Sequence, residues 1–100
     1  MTTTITPTEF AALDDDTVLI DVREPDELAQ VRIPGALSMP MSTLGDHLDE
    51  LPDGTFYLVC HSGMRSGRIA QSLVEQGHDA VSVAGGIVQW EAEGLTVEKG

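Results

Sequence analysis

Short runs of apolar and β-branched residues alternate along the chain with segments in which apolar residues recur every three or four positions. Runs that are bounded by turn residues are typical of buried strands, and the longer spacing is typical of helices that cover a sheet. The pattern therefore predicts strands over residues 17–22, 36–40, 55–60 and 79–86, and helices over residues 23–30, 42–51, 64–76 and 87–94.

Residues typical of helix ends support these segments. Pro25 and the acids around it are placed for a helix N-terminus, and Ser42 is expected to cap the helix over residues 42–51. Gly77 predicts the end of the helix that begins at residue 64. That helix has one apolar stripe, which consists of Ile69, Ala70, Leu73 and Val74.

Strands that alternate with helices over 100 residues indicate a small α/β domain, with a mostly parallel sheet and helices on both faces. We expect residues 1–100 to form one domain, because this is the length of one ordinary domain. In such sheets, ligands bind beyond the carboxyl ends of the strands. Cys60, the last residue of the strand predicted over residues 55–60, is therefore expected at the binding edge.

Composition places the chain among globular proteins, with 41% hydrophobic and 22% charged residues. No apolar run approaches the ~20 residues of a membrane span, and residues 1–10 lack both a basic leader and an apolar signal core. We therefore expect a cytoplasmic protein.

One cysteine excludes an intramolecular disulfide. His47, His61 and His78 stand 14 and 17 positions apart, which does not suggest zinc ligands, and no metal or other cofactor is expected.

The distribution of charge points to a local site. A net charge of −12 argues against nucleic acid and anionic membranes as partners. Two of the five basic residues, Arg65 and Arg68, nevertheless follow Cys60 within eight positions, and no Asp or Glu occurs between Asp53 and Glu75. Chance is the alternative, but the pattern predicts an anion site around the only thiol.

The segment after Cys60 has the residues that such a site needs. A loop between a strand and a helix directs unpaired backbone N–H groups at one point, where an anion is stabilised. Gly63 permits a tight turn, Ser62 and Ser66 offer hydroxyls, and Arg65 adds a permanent positive charge. We expect this setting to lower the pKa of the thiol and make Cys60 a nucleophile. The alternative is that Cys60 is only a small buried hydrophobe.

The spacing of the arginine narrows the chemistry. Cysteine phosphatases place an arginine six positions after the cysteine, so that the loop surrounds a tetrahedral phosphate. Here Arg65 stands five positions after Cys60, and Arg68, at eight, belongs to the helix that follows. The loop is one residue too short for phosphate and fits a smaller group at the thiol, such as one added sulfur atom.

Four motifs in order resemble those of the single-domain rhodanese sulfurtransferases, and together they extend over almost the whole chain. The motifs are LIDVRE at residues 19–24, IPGALSMP at 33–40, LVCHSGMRS at 58–66 and GGIVQWEAEGLTVE at 85–98. The resemblance implies a three-layer domain with a five-stranded central sheet. It also implies a catalytic loop that consists of Cys60, His61, Ser62, Gly63, Met64 and Arg65.

By the same resemblance, Cys60 takes a sulfane sulfur from a small sulfur-containing anion such as thiosulfate, or from a persulfide, and passes it to cyanide, a thiol or a protein thiol. The chain departs from the family in two places. Val31 and Arg32 replace a Gly-His pair before the IPGA motif, a difference that we expect to be structural. His61 replaces the arginine that often follows the cysteine, which puts the preference for thiosulfate in question.

Outside the loop, Asp21 and Arg23 are expected near the same sheet edge. Asp21 either orders the loop or is structural, with the structural role favoured. Arg23 either adds to the positive field at the loop or forms a surface ion pair with Glu24 or a helix cap.

Other expectations follow from residue type. Gly85 and Gly86 form a turn, and Trp90 lies in the core. His47 and His78 lie on the surface, and Met39 and Met64 pack in the core rather than line the pocket.

Two other functions remain open at this stage. One is a phosphatase or arsenate reductase on the same fold, which the position of Arg65 disfavours. The other is a non-catalytic binding or regulatory domain whose loop holds an anion or a partner. The presence of Cys60 argues against that role without excluding it.

Overall fold

Five parallel strands form the central sheet of the computed structural model, which describes residues 3–100. Their order in the sheet is β1, β6, β5, β2, β4, and a separate two-stranded antiparallel sheet pairs β3 with β7. The strands are β1 Thr4–Ile5, β2 Leu19–Asp21, β3 Val31–Arg32, β4 Leu37–Ser38, β5 Phe56–Val59, β6 Ala80–Val83 and β7 Glu98–Lys99. The predicted parallel sheet and its four strands are confirmed, whereas β1, β3 and β7 were not predicted.

The two central strands have no solvent-facing side. All three residues of β2 are buried, as are Phe56, Leu58 and Val59 of β5. A strand that is covered on both faces needs apolar residues at consecutive positions, which is why β5 is a continuous apolar run and β2 is apolar up to Asp21, whose buried charge is paired. Leu19, Ile20 and Asp21 pair in register with Tyr57, Leu58 and Val59, and this places the ends of β2 and β5 at one edge of the sheet.

Helices cover both faces of this sheet, as predicted. They are α1 Pro7–Ala11, which was not predicted, α2 Pro25–Gln30, α3 Met64–Glu75 and α4 Gly86–Ala92. On one face, Ala70 and Leu73 of α3 pack with Ile20, Phe56 and Leu58. On the other face, two residues of α4, Ile87 and Trp90, pack with Leu19, Val59 and Val83. The sheet is therefore the middle of three layers, and the core location predicted for Trp90 is confirmed.

The stripe predicted on α3 is only partly right. Ala70 and Leu73 are buried, but Val74 is 42% exposed, and the stripe is continued instead by Ser66, which is fully buried. Gly77 follows the helix with a φ of 97°, so it supplies the left-handed residue that ends α3, as predicted.

The segment predicted as a helix over residues 42–51 forms a 3-10 helix, Leu44–Glu50, with a kink at His47. Ser42 does not cap it, because the Ser42 hydroxyl donates a 2.6 Å hydrogen bond to the carboxylate of Glu24 instead. Gly45 and the aspartates of this segment are poor helix formers, which accounts for the tighter and irregular form.

A buried ion pair lies at the carboxyl end of β2. Asp21 and Arg23 are each 1% exposed, and the Arg23 Nε and Nη2 atoms donate to the Asp21 carboxylate at 3.0 and 2.9 Å. Nη2 also donates to the carbonyl oxygen of Val31 at 2.7 Å and so ties β2 to β3. The alternative of a surface ion pair between Arg23 and Glu24 is therefore wrong, because Arg23 turns inward to Asp21.

None of the helices in the described part of the chain combines the length and the apolar character that a bilayer span needs.

The buried pair gives the first testable prediction. Asp21→Asn removes the charge partner of Arg23 but leaves the guanidinium buried, and breaking a buried pair in this way costs about 3–5 kcal/mol. We expect urea unfolding to show a loss of free energy of unfolding of about that size. As a matched control, Asp16→Asn in the exposed segment before β2 should change it by less than about 0.5 kcal/mol. Equal effects of the two substitutions would contradict the structural importance of the pair.

Candidate active site

Cys60 lies at the carboxyl edge of the sheet, one residue beyond the end of β5. It was predicted as the last residue of that strand, so the predicted boundary is wrong by one position. Residues 60–63 connect β5 to α3, and Cys60 itself is 0% exposed. The thiol therefore lies inside the loop, beneath the first turn of α3.

Backbone amides at the start of α3 converge on the sulfur. The N–H of Gly63 donates to Cys60 Sγ at 3.1 Å, and the N–H of Ser66 donates to it at 3.4 Å. Gly63 occupies the N-cap position with a φ of 97°, which only glycine adopts without strain. The loop thus turns back on itself, and the free donors of a helix N-terminus meet at the sulfur instead of at solvent.

These donors change the acidity of the thiol. Burial by itself raises the pKa of Cys60, because it disfavours the charged form. The hydroxyl and the N–H of Ser66 and the N–H groups of Gly63 and Arg65 act in the opposite direction, and the net result is a pKa below the ordinary value. The thiolate is accordingly favoured more than in a free cysteine, as the sequence predicted.

A pair of buried serines supports this arrangement. Ser66 Oγ and Ser82 Oγ are 2.8 Å apart, and both residues are almost completely buried. Ser82 lies on β6, so the pair fixes the first turn of α3 to the neighbouring strand. The sequence indicated Ser66 but not Ser82, although a single hydroxyl in the apolar strand Ala80–Val83 is a signal that could have drawn attention to it.

The N-terminus of α4 holds the other side of the loop. The N–H of Ile87 donates to the carbonyl oxygen of Cys60 at 2.8 Å, and the N–H of Val88 donates to that of His61 at 3.1 Å. Gly86 makes this approach possible: a Cβ there would overlap the Cys60 carbonyl oxygen and lie 2.5 Å from that of His61. The sequence predicted only a turn at Gly85 and Gly86, so their contact with the loop was missed.

The side chain of Arg65 has a partner that the sequence did not reveal. Its Nη1 and Nη2 atoms donate to the two carboxylate oxygens of Glu27, each at 2.8 Å. The hydrogen bonds from Arg65 lower the pKa of Glu27 to about 2, and the same contact raises the pKa of Arg65. Glu27 lies on α2, far in sequence from the segment between Asp53 and Glu75 that has no Asp or Glu. The absence of acids from that segment therefore does not make the site free of acidic side chains.

The remaining loop residues face solvent. His61, Ser62 and Met64 are exposed, Met64 at 66%, so the expected packing of Met64 in the core is wrong, whereas Met39 packs against the core as expected. Among the other histidines, His47 is exposed as predicted. His78 is half-buried, with its ring edge against Phe56, so its predicted surface position is only partly right.

A separate groove lies elsewhere on the domain. It has a volume of about 400 Å³ and is lined mainly by residues that precede β2 and β4 or follow α4, among them Thr17, Ile33 and Leu95. These positions belong to the edge of the sheet opposite to Cys60, so the groove is separate from the thiol. Residues 3–100 also contain no group of three or more His, Cys, Asp or Glu side chains with the geometry of a metal site.

Comparisons with known proteins agree with this geometry. The family model for the rhodanese-like domain matches residues 6–93. A putative sulfurtransferase of Bacillus subtilis, YtwF, is 40% identical over 81 residues, which cover 80% of this chain and 79% of the relative. The thiosulfate sulfurtransferase GlpE of Glaesserella parasuis is 35% identical over 98% of this chain and 94% of its own. Among solved structures, a rhodanese-related protein from Thermoplasma volcanium superposes with a TM-score of 0.89 at 29% identity, over 96% of this chain and 97% of its own.

The acidity of Cys60 can be tested by alkylation. We expect the rate of iodoacetamide modification to rise with pH along a curve whose midpoint lies below the value of about 8.5 for free cysteine, because the folded protein favours the thiolate. Ser66→Ala should move the midpoint to higher pH. Ser82→Ala, which removes a hydroxyl that contacts Ser66 and not the sulfur, should not raise it. A midpoint of about 8.5 or above in the unsubstituted protein would contradict the lowered pKa.

The approach of α4 to the loop gives a second test. Gly86→Ala places a side chain against two loop carbonyls at a φ of 59°, so we expect a loss of about 2 kcal/mol or more in free energy of unfolding. Gly67→Ala is the matched control, because Gly67 lies inside α3 with open space at its Cβ position and alanine should stabilise the helix by about 0.5–1 kcal/mol. Urea denaturation measures both. A stabilising effect of Gly86→Ala would mean that α4 does not hold the loop as described.

Proposed function

This chain belongs to the rhodanese-like domain family, and from that membership we propose that it is a single-domain sulfurtransferase in which Cys60 carries the sulfur. The proposed reaction moves a sulfane sulfur from a donor, such as thiosulfate or a persulfide, to a thiophilic acceptor, such as cyanide, a thiol or a protein thiol. One observation carries the proposal: backbone N–H groups of Gly63 and Ser66 point at the sulfur of Cys60. Relatives of similar length that are named as sulfurtransferases support it.

In the first half-reaction, the Cys60 thiolate attacks the outer sulfur of the donor. A bond forms between Cys60 Sγ and that sulfur, while the sulfur–sulfur bond of the donor breaks and the leaving group keeps the electron pair. Sulfite leaves from thiosulfate, and a thiolate leaves from a persulfide. No proton has to move in this step, which fits a loop whose buried groups are amides and hydroxyls rather than a general acid.

The product is a persulfide on Cys60 whose terminal sulfur carries negative charge. The same N–H groups that favour the thiolate favour this anion, since they are fixed donors that do not reorganise during the reaction. Because Cys60 is completely buried, a donor reaches its sulfur only when the groups that cover it move.

In the second half-reaction, the acceptor attacks the terminal sulfur of the persulfide. The bond between the two sulfur atoms breaks, its electron pair returns to Cys60 Sγ, and the thiolate is restored. The two half-reactions share one site and follow each other, so ping-pong kinetics are expected.

The other two functions have less support. For phosphate transfer, the loop offers an arginine one position early, and the two terminal nitrogens of that arginine are hydrogen-bonded to Glu27. A purely binding role gives no reason for a thiol at the point where the N–H groups meet.

The experiment that tests the proposal measures the intact mass of the reduced protein after incubation with thiosulfate or with a small persulfide. We expect a gain of one sulfur atom that is lost again on treatment with cyanide. The control is Cys60→Ser, which keeps the loop and its amides but should gain no sulfur. No gain from either donor would contradict the proposal and favour the binding domain, as would a gain that persists in the variant.

A further inference from the structure

We propose that Glu27 sets the donor preference of this site, because its contact with Arg65 disfavours the thiosulfate dianion and leaves donors of single charge, such as a small organic persulfide, as the preferred class. This inference rests on the proposed function. It concerns Glu27, which lies outside the loop. The sulfur transfer at Cys60 does not by itself require this residue.

Glu27 and Arg65 form a bidentate ion pair. Both terminal nitrogens of the guanidinium donate to the carboxylate at 2.8 Å, and the two side chains are about one-third exposed. Glu27 is also held from its own helix, because its Oε1 atom accepts a 3.0 Å hydrogen bond from the N–H of Glu24 in a capping box. Glu27 is therefore fixed in place before any substrate arrives, and ordering it costs little.

This fixed contact occupies the group that an oxyanion needs. Three sulfonate oxygens of thiosulfate carry most of its charge, and a planar guanidinium is the donor that best matches such a group. In this site both terminal nitrogens of Arg65 already donate to Glu27. Thiosulfate must displace the carboxylate or share the guanidinium with it through the remaining N–H groups, where the negative charge of Glu27 opposes its own.

The other charges near the loop do not compensate. Asp21 and Arg23 neutralise each other in their buried pair. Glu27 neutralises Arg65 in the same way, and the carboxylate of Glu24, which accepts from Ser42, adds a negative charge close by. With the Cys60 thiolate, the immediate surroundings are negative and repel a dianion more than a monoanion. Arg68 is the next basic residue along α3 but is exposed, so water and salt screen its charge.

Exposed apolar side chains around the loop favour a donor with an organic group. Met64 begins α3, and Val88 lies in the first turn of α4, whose N–H groups bind the loop. Met41 follows β4, with its N–H bonded to the carbonyl oxygen of Val22 beyond the end of β2. All three side chains are 48–66% exposed. An inorganic dianion gains nothing from them, whereas the carbon chain of an organic persulfide does.

The step with such a donor is balanced. Cys60 Sγ forms a bond with the terminal sulfur of the organic persulfide, the sulfur–sulfur bond of the donor breaks, and the organic thiolate leaves with the electron pair. The charge on the donor is one unit, and it does not need the guanidinium of Arg65.

The test compares sulfur uptake from thiosulfate and from 2-mercaptoethanol persulfide, followed as the intact mass of Cys60-loaded protein in single turnovers over a range of donor concentrations. Glu27→Gln is the variant, because glutamine can keep the capping box while it removes the charge and frees one donor of Arg65. Glu75→Gln is the matched control: it removes the same charge from an exposed position at the far end of α3, roughly 15 Å from Arg65.

We expect the unsubstituted protein to take sulfur more efficiently from the persulfide. Glu27→Gln should raise the second-order rate constant for thiosulfate by about tenfold or more, mainly through a lower half-saturating concentration, and should change that for the persulfide by less than about threefold. Glu75→Gln should change neither by more than about twofold. Uptake from thiosulfate should also accelerate with added salt in the unsubstituted protein and depend less on salt in Glu27→Gln than in Glu75→Gln.

Each contrary result has a distinct meaning. If both donors load Cys60 but Glu27→Gln leaves the ratio of their rate constants unchanged or lowers it, the inference is overturned and the proposed function stands. If Glu75→Gln reproduces the change, the effect belongs to net charge and not to the contact with Arg65, and the inference is again overturned. If neither donor loads the unsubstituted protein, the proposed function fails and this inference fails with it.

Discussion

The site depends on one constraint, which is that the backbone donors at the start of α3 meet at a single buried sulfur. That arrangement needs a strand that delivers Cys60 to the sheet edge, a glycine that reverses the chain at Gly63, and a helix whose first N–H groups have no other acceptor. The N-terminus of α4 completes it by binding the carbonyl oxygens of Cys60 and His61. Since each of these groups is part of the backbone, the two helices and the sheet fix the positions of the donors at the sulfur.

Charges around this sulfur are organised in pairs rather than left free. The Asp21 and Arg23 pair is buried and links β2 to β3, and the Glu27 and Arg65 pair links α2 to the loop. A buried charge without a partner would cost several kcal/mol, so pairing with Asp21 is the condition on which Arg23 lies inside the protein. The result is a site that polarises its nucleophile mainly through oriented dipoles and presents little net positive charge to a donor.

The sequence predicted those parts of the structure that depend on neighbours along the chain. The apolar runs of β2 and β5, the turn at Gly63 and the end of α3 at Gly77 are local, and they were predicted correctly, as was the lowered pKa of Cys60. Contacts between distant segments were not predicted. Glu27 reaches Arg65 across 38 positions, and the inward turn of Arg23 depends on an acceptor on β3. Three of the four two-residue strands, β1, β3 and β7, were missed as well, because so short a segment has no periodicity of its own. The 3-10 helix was predicted as a regular helix because leucine spacing outweighed Gly45 and its aspartate neighbours.

The complete burial of Cys60 separates two properties that usually occur together. A thiol with a lowered pKa is ordinarily also vulnerable to peroxides, since the thiolate is the form that is oxidised to sulfenic and higher acids. Here the sulfur is activated by amides but has no surface that a small oxidant can reach in the closed loop. An oxidant and a sulfur donor then need the same access to the sulfur, so the frequency with which the buried sulfur becomes accessible sets the oxidative lifetime of the protein as well as its rate of sulfur uptake.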